Sequence, residues 1–169
     1  MDIQEANSLA PAAFIETFGG IYEHSAWVAE AVLASRPFAT VAELTTAMAK
    51  AVVDAGPGPQ LELLRAHPDL AGRLADTGEL TAESTAEQKA AGLDDMSIET
   101  KTALVELNAA YLDRFGFPFV ICARLNDADS ILAAIRQRQD HSVETEMATA
   151  LAEVDKIAEL RLREILCLE

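Results

Sequence analysis

The sequence predicts an all-α fold, a single-domain array of about eight to nine helices, on three observations. Half of the residues are hydrophobic, many of them alanine, while aromatic residues make up only 5%, a balance that suits close-packed helices better than strands. Helix punctuation recurs along the chain, with prolines that open or end helices, Thr, Ser and Asp at candidate N-caps and glycines at stops. Between these marks the apolar residues return every three or four positions. A chain of 169 residues can bury roughly two-thirds of its unfolded surface as one domain, so residues 1–169 are expected to need no covalent staple.

Pro11 opens a first helix carrying Ala13, Phe14 and Phe18, which Gly19-Gly20 closes. A second helix follows with Trp27, Val28, Ala31 and Val32; Trp27 is expected as a core anchor, and Pro37 forbids continuation. Thr40 and Glu43 read as a capping box for a third helix that buries Leu44, Met48, Ala51 and Val52. Gly56-Pro57-Gly58-Pro59 reads as a loop, followed by a helix with Leu61, Leu63 and Leu64 that ends near His67-Pro68. Asp69 to Ala75 can form one or two turns. Ser84 and Glu87 read as a second capping box, with Gly92 as a left-handed stop. A long helix from about Ser97 to Phe115 has Leu104, Leu107, Asn108, Tyr111 and Phe115 on one face and Gly116 as its cap. Phe117-Pro118-Phe119 is extended. Asp127 or Asp129 caps a helix bearing Ile131, Leu132 and Ile135, and Ser142 begins a last helix that reaches Leu166.

Charge narrows the function. Lys and Arg total 13 against 28 Asp and Glu, a formal charge of −15, and such a surface repels nucleic-acid phosphates and anionic membranes alike. Neither nucleic acid nor membrane is expected as a partner. Cys122 and Cys167 lie far apart in no metal-ligand spacing and read as small buried hydrophobes. The N-terminus lacks the basic start and apolar run of an export signal, so a cytoplasmic protein is expected. No Glu-x-x-His pair, phosphate-binding glycine loop or nucleophile elbow occurs, which disfavours metal and nucleotide chemistry.

The groups able to do chemistry concentrate in residues 64–124. His67 is fixed by the helix stop at Pro68; spacing alone slightly favours a histidine that only closes its own helix. Glu87 has an equally bland reading as the glutamate of its capping box. Gln88 offers a donor and an acceptor together, suited to an amide-like ligand edge. Arg124 follows the apolar run Val120-Ile121-Cys122-Ala123, which would hold its backbone in the core and aim its fork at a ligand or an acidic neighbour. His24 and His141 read as structural or solvated groups.

Taken together, these residues resemble the OHCU decarboxylase family of purine degradation. Three blocks carry the resemblance: His67-Pro68-Asp69-Leu70-Ala71, the run from Ser84 through Glu87-Gln88 to Ala91-Gly92-Leu93, and Phe115-Gly116-Phe117-Pro118-Phe119-Val120. Weaker similarity runs through Gly19-Gly20-Ile21-Tyr22-Glu23-His24-Ser25-Ala26-Trp27 and Lys156-Ile157-Ala158-Glu159-Leu160-Arg161-Leu162, so nearly the whole chain is covered. One departure is Cys122-Ala123-Arg124, where many members have a Lys-Gly-Arg-like segment.

The resemblance implies decarboxylation of 2-oxo-4-hydroxy-4-carboxy-5-ureidoimidazoline to (S)-allantoin. No cofactor and no metal are implied, because a ring carbon-nitrogen double bond in the substrate accepts the electron pair. On the same footing His67, beside Pro68, would polarise or deprotonate the hydroxyl, and Arg124 would bind substrate oxygens. Glu87 and Gln88 would hydrogen-bond the ureido and ring amides. Backbone amides near Phe119, Val120 and Ile121 would donate further bonds, with Ser84 beside them. The partner is then a small anionic ureidoimidazoline, and a homodimer is left open. Two other readings remain: a non-enzymatic helical interaction module with an acidic face, and a different small-molecule lyase on the same fold. The first is distinguished by whether His67, Glu87, Gln88 and Arg124 converge or scatter.

Overall fold

The computed structural model describes residues 1–70 and 80–167. Nine α-helices and no strand occur among them, as the all-α reading requires. The chain divides into two compact units, Met1–Ala66 with Asp155–Glu169, and His67–Val154.

The first unit opens on a helix that the sequence reading missed, α1 (Ile3–Ser8), in which Asp2 and Glu5 form a reciprocal capping box. Its brevity, with Ala6 as its one buried residue, leaves no apolar period to detect. In α2 (Pro11–Phe18) proline occupies the first turn and Phe14 and Phe18 are buried. Gly19 is obligatory there, since a Cβ would lie 2.5 Å from the Ile15 carbonyl oxygen. In α3 (Trp27–Val32) the buried residues are Val28, Ala29 and Val32; Trp27, expected as the anchor, opens the helix and is half-buried. Thr40 caps α4 (Val41–Asp54), which buries Leu44, Met48 and Val52, while the Glu43 carboxylate accepts from the Ala39 amide. Gly56-Pro57-Gly58-Pro59 is not a loop: Gly56, at φ 81°, precedes α5 (Pro57–Arg65), whose first turn takes both prolines. The N–H groups of a first turn have no intrahelical acceptor, so proline forfeits nothing there.

The end of the chain completes this unit. Arg161 and Glu23, both buried, meet at 2.9 Å, the Tyr22 hydroxyl donates to Asp155 at 2.9 Å, and the Met1 amino group donates to the Ile165 carbonyl at 3.2 Å.

The second unit holds α6 (Ala82–Ala90), α7 (Ile98–Phe115), α8 (Ala128–Arg138) and the first half of α9 (Val143–Ile165). Ser97 and Asp127 cap α7 and α8 as expected, and Ser142 accepts from the Thr145 amide at the head of α9. Gly92 and Gly116 are left-handed, at φ 72° and 76°, where the helices before them stop. The turn expected over Asp69 to Ala75 lies largely outside the described residues; Asp69 and Leu70 are not helical. Around Tyr111 an aromatic core gathers, with Phe115, Phe117 and Phe119 at ring-centroid distances of 4.6, 5.9 and 5.3 Å.

Tyr22 and Tyr111, the two tyrosines of the chain, are buried against carboxylates. Burial first, then the charge of Asp155 and its bond to Tyr22, push that phenol far above its ordinary range. Burial, then the bond to Glu146 and its charge, do the same for Tyr111. A phenol whose folded pKa is raised contributes stability that is whole below the unfolded pKa of about 10 and declines as pH rises above it. Tyrosinate absorbance is therefore expected to appear together with loss of helical circular dichroism in an alkaline titration. Ordinary titration of either tyrosine near pH 10 with the helices intact would contradict the burial.

Candidate functional site

Helix α5 stops at Arg65 with Ala66 as its C-cap, and the chain passes directly into His67, which is 9% exposed. The four residues that begin there are held by side chains from two helices. Gln88 Nε2 of α6 lies 3.5 Å from the Asp69 carbonyl oxygen, and Asn108 Nδ2 of α7 donates to the Leu70 carbonyl at 3.0 Å. Burial raises the Asp69 carboxyl above its usual range.

The N-cap of α6 is Thr81, whose hydroxyl accepts from the Ser84 amide. The capping box expected from Ser84 and Glu87 is therefore absent: Ser84 occupies the third helical position and Glu87 lies almost a turn further on. Thr81-Ala82-Glu83-Ser84 competes for the same helix start, and threonine at the earlier position wins. Glu87 therefore does not stand at the third position of its helix, where a capping-box glutamate belongs. Ser84 and Gln88, four residues apart, are both buried, and Glu87 beside them is half-buried.

Helix α6 packs against the 3-10 turn Ala123–Leu125, which carries Arg124. That guanidinium stands on the exposed side of its turn while residues 119–123 are buried, the arrangement expected of the apolar run. Cys122 is buried as predicted; Cys167, read as buried, is exposed at the end of the last helix. The Cys122 thiol is held above its usual range by burial, and by the nearby charges of Glu153 and Glu87, which places Glu87 within electrostatic reach of this segment. His67, Pro68, Ser84, Glu87, Gln88, Phe119, Val120, Ile121 and Arg124 thus all belong to one compact unit. The Gln88 contact to Asp69 and the packing of α6 on the Arg124 turn link the three blocks.

Residues 119–121 have an unusual backbone. Val120 directs its carbonyl to Arg138, and the amide of Cys122, two residues on, donates to Glu153. The N–H groups of Phe119, Val120 and Ile121 find no acceptor among the described residues. Buried amides are normally paired, so three in succession without an acceptor among the described residues are candidate donors to a ligand.

Sequence reasoning overlooked the residues that support this segment: Arg138, Glu146 and Glu153. A signal was present, because Arg138 continues the buried stripe of Ile131 and Ile135, and Glu146 begins that of Ala150 and Val154. A charge in phase with an apolar stripe marks a buried polar partner.

Comparison with known proteins agrees with the three-block pattern. The sequence matches the family described as OHCU decarboxylase over residues 7–163. The chain belongs to the OHCU decarboxylase family. It is 49% identical over 164 residues to the 2-oxo-4-hydroxy-4-carboxy-5-ureidoimidazoline decarboxylase of Haloferax volcanii, covering 97% of this chain and 95% of that one. To the mouse decarboxylase of the same name it is 42% identical, covering 98% and 93%. Among solved structures, (S)-allantoin synthase aligns with a TM-score of 0.74 at 34% identity, over 98% of this chain and 54% of that one. An OHCU decarboxylase crystallised in the presence of (S)-allantoin aligns at 0.71 and 25% identity, over 87% and 95%. Within this family, His67, Glu87, Gln88 and Arg124 are candidates for chemistry. No helix among the described residues is long and apolar enough to cross a membrane.

Proposed function

We propose that this chain is a carboxy-lyase that converts 2-oxo-4-hydroxy-4-carboxy-5-ureidoimidazoline to (S)-allantoin and carbon dioxide in urate breakdown, acting as one cytoplasmic helical domain. What supports the assignment of the site is that His67, Glu87, Gln88, residues 119–121 and Arg124 belong to the same compact unit, with Gln88 at the Asp69 carbonyl and α6 packed on the Arg124 turn. In the reaction the bond from the ring carbon to the carboxylate breaks, and its electron pair moves onto the adjacent carbon-nitrogen double bond. The substrate supplies this sink, so the protein's tasks are placement, proton transfer and protection of one face.

His67 takes the proton of the hydroxyl as that oxygen becomes a carbonyl, and a proton is returned to the ureido-bearing ring carbon on its unscreened face to give the S centre, a transfer suited to a group that exchanges protons near neutral pH. Arg124 binds substrate oxygens with charge-assisted hydrogen bonds. Glu87 accepts from the ureido and ring N–H groups, Gln88 pairs with an amide edge, and the amides of Phe119, Val120 and Ile121 donate to substrate oxygens. Pro68 fixes the backbone beside His67 and Ser84 borders the bound substrate.

The direct test supplies freshly generated ureidoimidazoline and follows allantoin by chiroptical signal. Rapid formation of the S enantiomer is expected, and spontaneous racemic product at the uncatalysed rate would refute the assignment. In the same assay Arg124→Ala should chiefly raise KM, because it removes a contact present in the ground and transition states alike. An unchanged KM would reduce Arg124 to a surface charge.

A further inference from the structure

The amides assigned above to substrate binding lie on a segment with no helix or strand of its own, so something else must fix their direction. Three side chains do so. Arg138, buried on α8, donates through Nη1 to the Val120 carbonyl at 2.9 Å and lays its guanidinium over the Phe119 ring, 4.5 Å from the centroid. Its Nε donates to Glu146 Oε1 at 2.8 Å, and its second terminal nitrogen bonds the same oxygen. Glu146 is fully buried and is held in turn by the Tyr111 hydroxyl and by His141 Nδ1 at 2.7 Å. From the other side Glu153 Oε2 of α9 accepts the Cys122 amide at 2.9 Å.

We propose that Arg138, Glu146 and Glu153 are positioning residues for the decarboxylation: they clamp the Val120 carbonyl and the Cys122 amide so that the N–H groups of Phe119, Val120 and Ile121 stay aimed at the substrate. The inference rests on the functional reading above, in which those amides bind substrate. The physical reason is the fixed alternation of an extended backbone. The Val120 carbonyl shares one rigid peptide plane with the Ile121 N–H, and the Cys122 N–H belongs to the next plane. Tying both groups to helices therefore fixes the direction of the Ile121 N–H, while the Arg138 guanidinium over the Phe119 ring restrains the chain just before it. Glu146 neutralises Arg138 at close range, so the guanidinium serves as a backbone clamp rather than an anion ligand. Carboxylates of Glu146 and Glu153 beside an anion-binding site would otherwise oppose it, and both are occupied by donors.

The test compares wild type, Arg138→Met/Glu146→Met, Glu153→Ala and Glu153→Gln by steady-state kinetics and urea melts, with amide exchange over residues 119–122. Replacing a buried ion pair by apolar side chains of similar volume is often neutral for stability, so the double variant is expected to fold. It should nevertheless lose up to about a hundredfold in kcat/KM, the usual consequence of donors displaced by about an ångström. Glu153→Ala should exchange the Cys122 amide faster and lose activity, and Glu153→Gln, which keeps an acceptor oxygen, should restore most of both. A folded double variant or a Glu153→Ala variant with wild-type kcat/KM overturns the positioning role while leaving the enzyme assignment standing. Should the double variant not fold, Glu153→Ala against Glu153→Gln decides alone. Wild-type protein without turnover overturns the functional reading and this one with it.

Discussion

His67→Asn is expected to fold as wild type and to lose about two to four orders of magnitude in turnover, the usual worth of one acid-base group. Asparagine is close to the imidazole in size and can still hydrogen-bond, but it exchanges no proton near neutral pH. The segment that presents His67 is secured independently of its ring, through the Asp69 and Leu70 carbonyls, so the substitution should leave the neighbouring groups in place. Arg124 and the residue 119–121 amides should keep binding substrate, and KM should change far less than kcat. Single-site kinetics with circular dichroism checks this: a folded variant with near-normal turnover would leave His67 as a helix terminator only.

Tyr111→Ala is expected to destabilise the protein by about 3–5 kcal/mol, the range for deleting a large core aromatic. The side chain is 0% exposed, edge-on to Phe117 and Phe119, and its hydroxyl is one of the donors that hold Glu146. Tyr111→Phe retains the ring packing and removes only that donor, so about 1–3 kcal/mol is expected for it. Trp27→Ala, by contrast, should cost less than Tyr111→Ala because Trp27 is only half-buried. Urea denaturation of the three variants gives the order, and a Tyr111→Ala midpoint equal to wild type would place the ring outside the cooperative core.

The fold was legible wherever local chemistry decides the outcome. Ser97, Asp127, Ser142, Gly92 and Gly116 end or begin helices because a hydroxyl, a carboxylate or a left-handed glycine is needed at that spot, and each does so here. Where two local solutions compete, the reading failed: Thr81 displaced Ser84 as the cap of α6, and prolines at 57 and 59 opened a helix instead of preventing one. Trp27 misled because size alone does not say on which side of a helix's first residue the core lies. At the site, the motif residues could be read from their resemblance to a family. The three amides without an acceptor among the described residues and the Arg138, Glu146 and Glu153 side chains behind them could not, since they depend on contacts between residues up to 35 positions apart.

The buried pair of Glu23 and Arg161 has a consequence for the order in which the protein is made. Their partnership spans 138 positions, and the unit they serve is interrupted by the whole of the other one. A ribosome adding roughly 5–20 residues per second delivers Glu23 several seconds before Arg161 exists, whereas the intervening unit is contiguous and emerges complete in the meantime. During that interval Tyr22 and Glu23 lack Asp155 and Arg161, the partners from the end of the chain that they meet in the folded unit. Closure of the first unit therefore waits until the second half of α9 has left the exit tunnel.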